Sequence, residues 1–179
     1  MKIREQAPVL DNILESRRES LDRDFEAYRH HCYRVLNFCL AFCGEGAEIE
    51  RKVSIAAAFH DLGIWVNKTY DYLEPSKELA RGYLAKTDQG RWTEEIEAVI
   101  EQHHKLSKYI SDPGWLVEPF RKADWIDVSR GWLTFGLPSA FIAEVLAKFP
   151  NAGFHKRLID LTWQRLKTHP LSPLPMMRL

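Results

Sequence analysis

Four stretches of this sequence place side chains able to bind metal or move protons on the apolar side of a predicted helix. In AAAFHDLGIW, residues 56–65, a run of small and apolar residues leads directly into His60 and Asp61. Burying such groups costs several kcal/mol unless they are paired or bound to a metal. His31 stands four residues before Val35, which stands four before Cys39, so the three share one helical face. Ile96, Val99 and Ile100 lead to His103 and His104 by steps of three and four. Phe120, Ala123, Asp127 and Val128 form a similar stripe, and Asp124 adjoins Phe120 by a four-residue step. A lone inward histidine is ordinarily satisfied by a backbone carbonyl, and an inward aspartate by capping a neighbour. Several of them on separate helices of one small bundle must converge, and a divalent cation is the simplest way to offset the cost. Adjacent His60 and Asp61 lie about 100° apart around a helix. Both still reach one ion, because the imidazole is long, the carboxylate short, and the helix ends just afterwards.

The elements that must hold these residues are helical throughout. Apolar spacing predicts a helix over 9–28, with Leu10, Ile13, Leu14, Leu21 and Phe25 inward, and a second over 30–43 stopped by Gly44. A third covers 47–62 with Gly63 as its C-cap. Residues 64–75 read as an aromatic-rich loop ended by Pro75. Ser76 then caps a helix over 77–87, which breaks at 88–90. Thr93, followed by two glutamates, opens a helix reaching His104. Asp112-Pro113-Gly114 is a turn. Further helices are expected at 116–130, 138–148 and 153–168, with an irregular, proline-containing tail over 170–179. No stretch alternates with period two long enough to claim a strand. The reading is one all-α domain over 1–179, a helical bundle around a shared core.

Composition narrows the partners. The 179 residues carry 25 Lys+Arg and 25 Asp+Glu, a formal net charge of zero. That gives no electrostatic case for a nucleic-acid polymer or an anionic membrane surface. Cys32, Cys39 and Cys43 lie on one helical face, where a structural disulfide is not favoured, and they suit a reducing cytoplasm. As zinc ligands they lack a second cysteine pair. The start, Met1-Lys2-Ile3-Arg4-Glu5, leads into no apolar run, so no signal peptide is expected. No run of about 18 apolar residues suggests a membrane span. A cytoplasmic location is the expectation.

The order of these motifs resembles the HD-domain superfamily of metal-dependent phosphohydrolases: a His, a His-Asp doublet, then a distant Asp. HHCYRV carries the first His, AAAFHDLG the doublet, RKADWID the distal Asp, and EEIEAVIEQHH resembles the family's run into histidines. The similarity covers about residues 28–132. It selects His31 over His30, as the stripe does, and Asp124 over Asp127. It implies His31, His60, Asp61 and Asp124 as the ligands of one divalent ion per chain. Asp127 then packs behind them or hydrogen-bonds a ligand histidine. Two-metal members carry another His where this chain has Ser76, so one ion is favoured. His103 and His104 remain candidates for a second ion that lacks a partner. Some nucleotidase members carry a catalytic Glu where this chain has Ile64; Asp71 or Glu74 could replace that acid.

Two His nitrogens and two Asp oxygens suit Mn²⁺, Fe²⁺, Co²⁺, Ni²⁺ or Zn²⁺ better than Mg²⁺. The resemblance implies hydrolysis of a small phosphate ester, a nucleotide among the candidates. Asp61 would guide the proton of the attacking water, and His103 or His104 would donate to a phosphate oxygen or the leaving group. Arg34, Lys68, Lys105 and Arg121 are candidates for holding phosphate, although each alone reads as readily as a surface charge. Trp65, Tyr70, Tyr72, Trp115, Trp125 and Trp132 could stack on a base, and core packing explains them as well. Two other readings stand beside this one. A di-iron HD-type oxygenase needs two ions, against which Ser76 counts. A non-catalytic metal-binding or sensor domain needs no turnover. The C-terminal helices could also pair protomers in a homo-oligomer.

Overall fold

Helix α3 is the axis around which the other elements pack. The structure, a computed structural model, describes residues 1–44, 46–172 and 174–177. In chain order the helices are α1 (Pro8–Glu15), α2 (Arg18–Leu21), α3 (Phe25–Cys43), α4 (Ala47–Phe59), α5 (Gly63–Val66), α6 (Leu73–Lys86), α7 (Thr93–Gln102), α8 (Val117–Val128), α9 (Ser139–Lys148) and α10 (Phe154–Thr168). No β-strand occurs among the described residues, and the protein is an all-α bundle. No helix among them is long and apolar enough to cross a membrane.

Residues Ala27 to Cys39 of α3 are buried on nearly every side, because α8 and α4 pack along it and α1, α9 and α10 touch it. Helices α6 and α7 form an antiparallel-type pair that closes against α4 and α8. Their apolar faces join in one contiguous core. The small residues Ala56, Ala57 and Ala58 let α4 approach α3 closely. Tyr28 Oη donates to the Ala58 carbonyl at 3.0 Å, and Cys32 Sγ to the Ala57 carbonyl at 3.0 Å.

Several boundaries differ from the sequence reading. The helix expected over 9–28 is broken. Leu10, Ile13 and Leu14 belong to α1, Leu21 to α2 and Phe25 to α3, with a 3₁₀ turn at Asp22–Asp24. Asp22 adopts φ 47° and ψ −127°, which turns the chain out of the helix. Helix α4 ends at Phe59, so Gly63 is not its C-cap but opens α5. Gly63 is needed for close approach. A Cβ there would lie 2.7 Å from the Tyr72 carbonyl oxygen and 3.0 Å from Ser76 Oγ. Ser76 is no N-cap either: it lies inside α6, and its Oγ accepts the Gly63 N–H at 3.0 Å. Pro75 falls in the first turn of α6, where no intrahelical N–H is required. Helix α7 stops at Gln102, leaving His103 and His104 on the following turn. Pro170–Ser172 and Leu174–Met177 are non-helical as expected, and Met176 is buried; Pro173, Arg178 and Leu179 of the expected tail lie outside the described residues.

Candidate metal centre

Four elements deliver the chemistry-bearing side chains to one point. His31 comes from α3, His60 and Asp61 from the turn after α4, His103 and His104 from the turn after α7, and Asp124 and Asp127 from α8. His31, His60, His103 and Asp127 are fully buried, Asp61 and Asp124 nearly so, and His104 partly.

Hydrogen bonds orient the rings. His60 Nδ1 lies 2.9 Å from the Ala57 carbonyl and His103 Nδ1 2.7 Å from the Ile100 carbonyl. A carbonyl only accepts, so both Nδ1 atoms carry hydrogen and both Nε2 atoms point inward. His31 Nδ1 donates to Asp127 Oδ2 at 2.6 Å, which turns its Nε2 to the same place. His31 Nε2 and His60 Nε2 then face each other at 2.9 Å. Asp61 Oδ2 lies 3.4 Å from His60 Nε2 and 3.8 Å from His31 Nε2. Asp124 Oδ1 lies 3.6 Å from His31 Nε2 and 3.8 Å from His60 Nε2. Asp61 Oδ1 and both oxygens of Asp124 are buried without a hydrogen-bond partner. Two facing imine nitrogens and three orphaned carboxylate oxygens are an unfavourable set on their own. Donors about 2.1 Å from one ion and at right angles to each other lie about 3 Å apart, so His31, His60 and Asp61 could hold a divalent cation, whereas Asp124, also expected as a ligand, lies outside this group of mutually close donors.

The electrostatics agree. Burial drives His60 down to about 3, opposed by Asp61 and reinforced by His31 and His103. Burial would raise Asp61, but the His60 and His103 rings override it and hold the carboxyl well below its usual range. Asp124 goes the other way: burial, together with the Asp61 and Asp127 charges, raises it to about 7 against His103 and His31. One buried carboxylate is ionised beside another that resists ionisation, as two carboxylates sharing one buried site do.

Asp127 is committed. Although buried, it is held below its usual range by His31 and by Arg34, whose Nε and Nη2 both donate to it, the latter at 2.9 Å. This corrects the phosphate-holding expectation for Arg34. The side chain is 1 % exposed, and its Nη1 donates to the Phe149 carbonyl at 2.9 Å, so the guanidinium ties α8 to α3 and the turn after α9. Arg121 is likewise spent, on Glu118 at 2.7 Å and on the Lys105 carbonyl at 3.1 Å. Lys68 is exposed on the loop after α5, where it lines a separate polar cavity with Asp22, Arg23 and Arg157. Lys105 is half-buried, and its carbonyl also accepts Trp125 Nε1 at 3.3 Å. Asp71 and Glu74 are exposed, and Glu74 pairs with Lys77 at 2.6 Å. His30 faces away, onto the Pro150 carbonyl at 2.8 Å. Of the aromatics, Trp132 is exposed, while Trp65 is buried and donates to Asp24 at 2.9 Å.

His103 and His104 belong to the cluster, His103 beside Asp61 and His104 beside Asp124. His103 Nε2 lies 3.4 Å from Asp61 Oδ1, and His104 Nδ1 lies 3.4 Å from Asp124 Oδ2. Two donor groups result: His31, His60 and Asp61, then Asp61, His103 and His104, with Asp61 common to both. Burial would lower His103, but the neighbouring Asp61 carboxylate raises it; burial and the neighbouring His103 lower His104 well below its usual value.

Two contributors to the cluster were not foreseen from the sequence, which offered Tyr72 only as a base-stacking aromatic and gave α10 no part in the site. Tyr72 Oη lies 3.0 Å from His104 Nε2 and 3.4 Å from His103 Nε2. It precedes α6 in a loop, so no periodicity marked it. Helix α10 backs the cluster, with Phe154 stacked on the His31 ring at 4.0 Å and His155 Nε2 3.0 Å from the Asp127 carbonyl. Only the pairing of distant helices makes those contacts. Comparison of the chain with protein-family models, with curated proteins and with solved structures returns no match.

Proposed function

We propose that this chain is an HD-type, metal-dependent phosphohydrolase that acts on a small phosphate ester. The observation that carries this reading is the convergence of the facing Nε2 atoms of His31 and His60 with Asp61 Oδ2 and the buried, unpartnered Asp124 Oδ1, all within 3.8 Å of a ring nitrogen. His31, His60, Asp61 and Asp124 would hold the cation, and the mixed nitrogen and oxygen set suits Mn²⁺, Fe²⁺, Co²⁺, Ni²⁺ or Zn²⁺. When bound, such a cation supplies Lewis acidity, lowering the pKa of a water and offsetting phosphoryl charge.

The chain's own residues supply the remainder. Asp127 holds His31 in the tautomer that presents Nε2, and Arg34 holds Asp127. Asp61 Oδ1 is placed to take a proton. His103, with Nδ1 fixed on the Ile100 carbonyl and its basicity raised by Asp61, carries a proton at Nε2 for the leaving oxygen. Tyr72 orients His104 through its hydroxyl.

The test pairs metal content per chain, by mass spectrometry after Mn²⁺ loading, with hydrolysis of p-nitrophenyl phosphate. We expect bound metal and turnover, both lost in Asp61→Ala, with activity down at least about 100-fold and the helical circular dichroism retained. Absence of metal under every loading condition would overturn the reading, and metal without turnover would favour a sensor domain.

A second reading rests on the Asp61, His103 and His104 group. It offers donors for a second ion without a histidine at Ser76. Two ions per chain would bring in the di-iron oxygenase, for which iron-dependent O₂ uptake is the discriminating assay.

A further inference from the structure

Beside the cluster lies an apolar cavity of about 480 Å³, within the range of small-molecule sites. Tyr72 and His104 line it, and both also belong to the cluster, so the cavity is continuous with the place where chemistry would occur. Its far wall is α10, with Trp163, and the segment Leu174–Met177, whose Met176 is buried. Three of the polar groups in the wall are already used. Tyr70 Oη is bonded to Thr162 Oγ1 at 2.7 Å, Trp125 Nε1 to the Lys105 carbonyl at 3.3 Å, and Tyr72 Oη to His104. The wall therefore presents carbon. Its one charged residue, Asp160, is acidic, and no Lys or Arg lines it among the described residues. A nucleotide's base edges would find few hydrogen-bond partners there, Asp160 and the Trp163 indole N–H at most, and a second or third phosphate would meet Asp160 instead of a cation.

Resting on the hydrolase reading above, we infer that the substrate is a phosphate monoester of an uncharged, apolar alcohol. Its aryl or alkyl body fills this cavity while its single phosphate lies at the cluster. In the reaction, the oxygen of water bonds to phosphorus as the bond to the alcohol oxygen breaks. One proton of the water ends on that alcohol and the other on the released phosphate. No oxidant or reductant is required.

The experiment uses the full chain. With Mn²⁺ loaded, kcat/KM is compared for 2-naphthylmethyl phosphate and adenosine 5′-monophosphate, both esters of primary alcohols. Binding of 2-naphthylmethanol to metal-free protein is measured by calorimetry. We expect the naphthyl ester to be favoured at least about tenfold, and alcohol binding to weaken about tenfold in Trp163→Ala. Trp163 is 60 % exposed, so its removal should leave the fold intact, and Leu166→Glu at the rim serves as a second variant. Equal or better turnover of the nucleotide would overturn the inference and leave the hydrolase reading standing. Alcohol binding without hydrolysis of either ester would support the apolar occupant and overturn the hydrolase reading. No alcohol binding, or a concentration-dependent dimer that blocks it, would overturn the inference.

Discussion

Single residues show how tightly the polar interior is balanced. Asp127 receives two donors from Arg34 and one from His31, all buried. Asp127→Asn keeps the shape but leaves Arg34 as an uncompensated buried cation. Urea denaturation should show a loss of about 3–5 kcal/mol, as for other broken buried pairs. Arg34→Met, which removes the charge while keeping the bulk, should cost less when combined with Asp127→Asn than either change alone predicts. Tyr33 yields the pH prediction. Burial and the Asp11 carboxylate, which its hydroxyl meets at 2.7 Å, push the phenol from 10.0 to about 12. The folded state thus favours the neutral phenol. Its contribution is fully present below about pH 10 and is lost as pH rises toward about 12. Alkaline denaturation should therefore be less steep across that window in Tyr33→Phe than in the wild type. The inward stripes identified His31, His60, His103, Asp124 and Asp127 from spacing alone. Arg34 was misassigned because a basic residue beside a motif looks the same in sequence whether it faces a phosphate or a carboxylate 93 residues away.

At the scale of elements, the Gly63–Tyr72–Ser76 contact decides where α6 sits. Gly63→Ala would drive a Cβ to 2.7 Å from a backbone oxygen, which cannot swing aside as a side chain can. We expect a loss of about 1–3 kcal/mol in urea, accompanied by reduced turnover because Tyr72 would be displaced from His104. Ser76→Ala should cost about 1–3 kcal/mol by leaving the buried Gly63 N–H unpaired, without displacing Tyr72. Helices α3, α4, α7, α8, α9 and α10 were legible within a few residues, because long amphipathic or small-apolar runs impose their period on the sequence. The 9–28 segment was not. Its apolar residues keep helical spacing across two breaks, one at Ser16–Arg17 and one at Asp22. Gly63 carried a punctuation signal, but that signal does not distinguish a helix stop from a close packing contact.

For the whole molecule, an ion held by the cluster would couple binding to stability. It draws on α3, α7, α8 and the turn after α4, so an ion bound there exists only in the folded chain. At about 100 times the dissociation constant, such binding adds about 2.7 kcal/mol. Thermal denaturation should show a Tm raised by Mn²⁺, restored to the metal-free value by chelator, and unresponsive to either in Asp124→Ala. The helical class, the apolar stripes and the residue types able to meet a cation were readable along the chain, because these are local properties of composition and spacing. Tertiary structure alone decided that Asp61 serves two donor groups, that Tyr72 and α10 complete the cluster, that Arg34 is internal, and that a carbon-lined cavity adjoins it. Each of those depends on distances between segments far apart in the chain, and only packing of the helices against one another sets them.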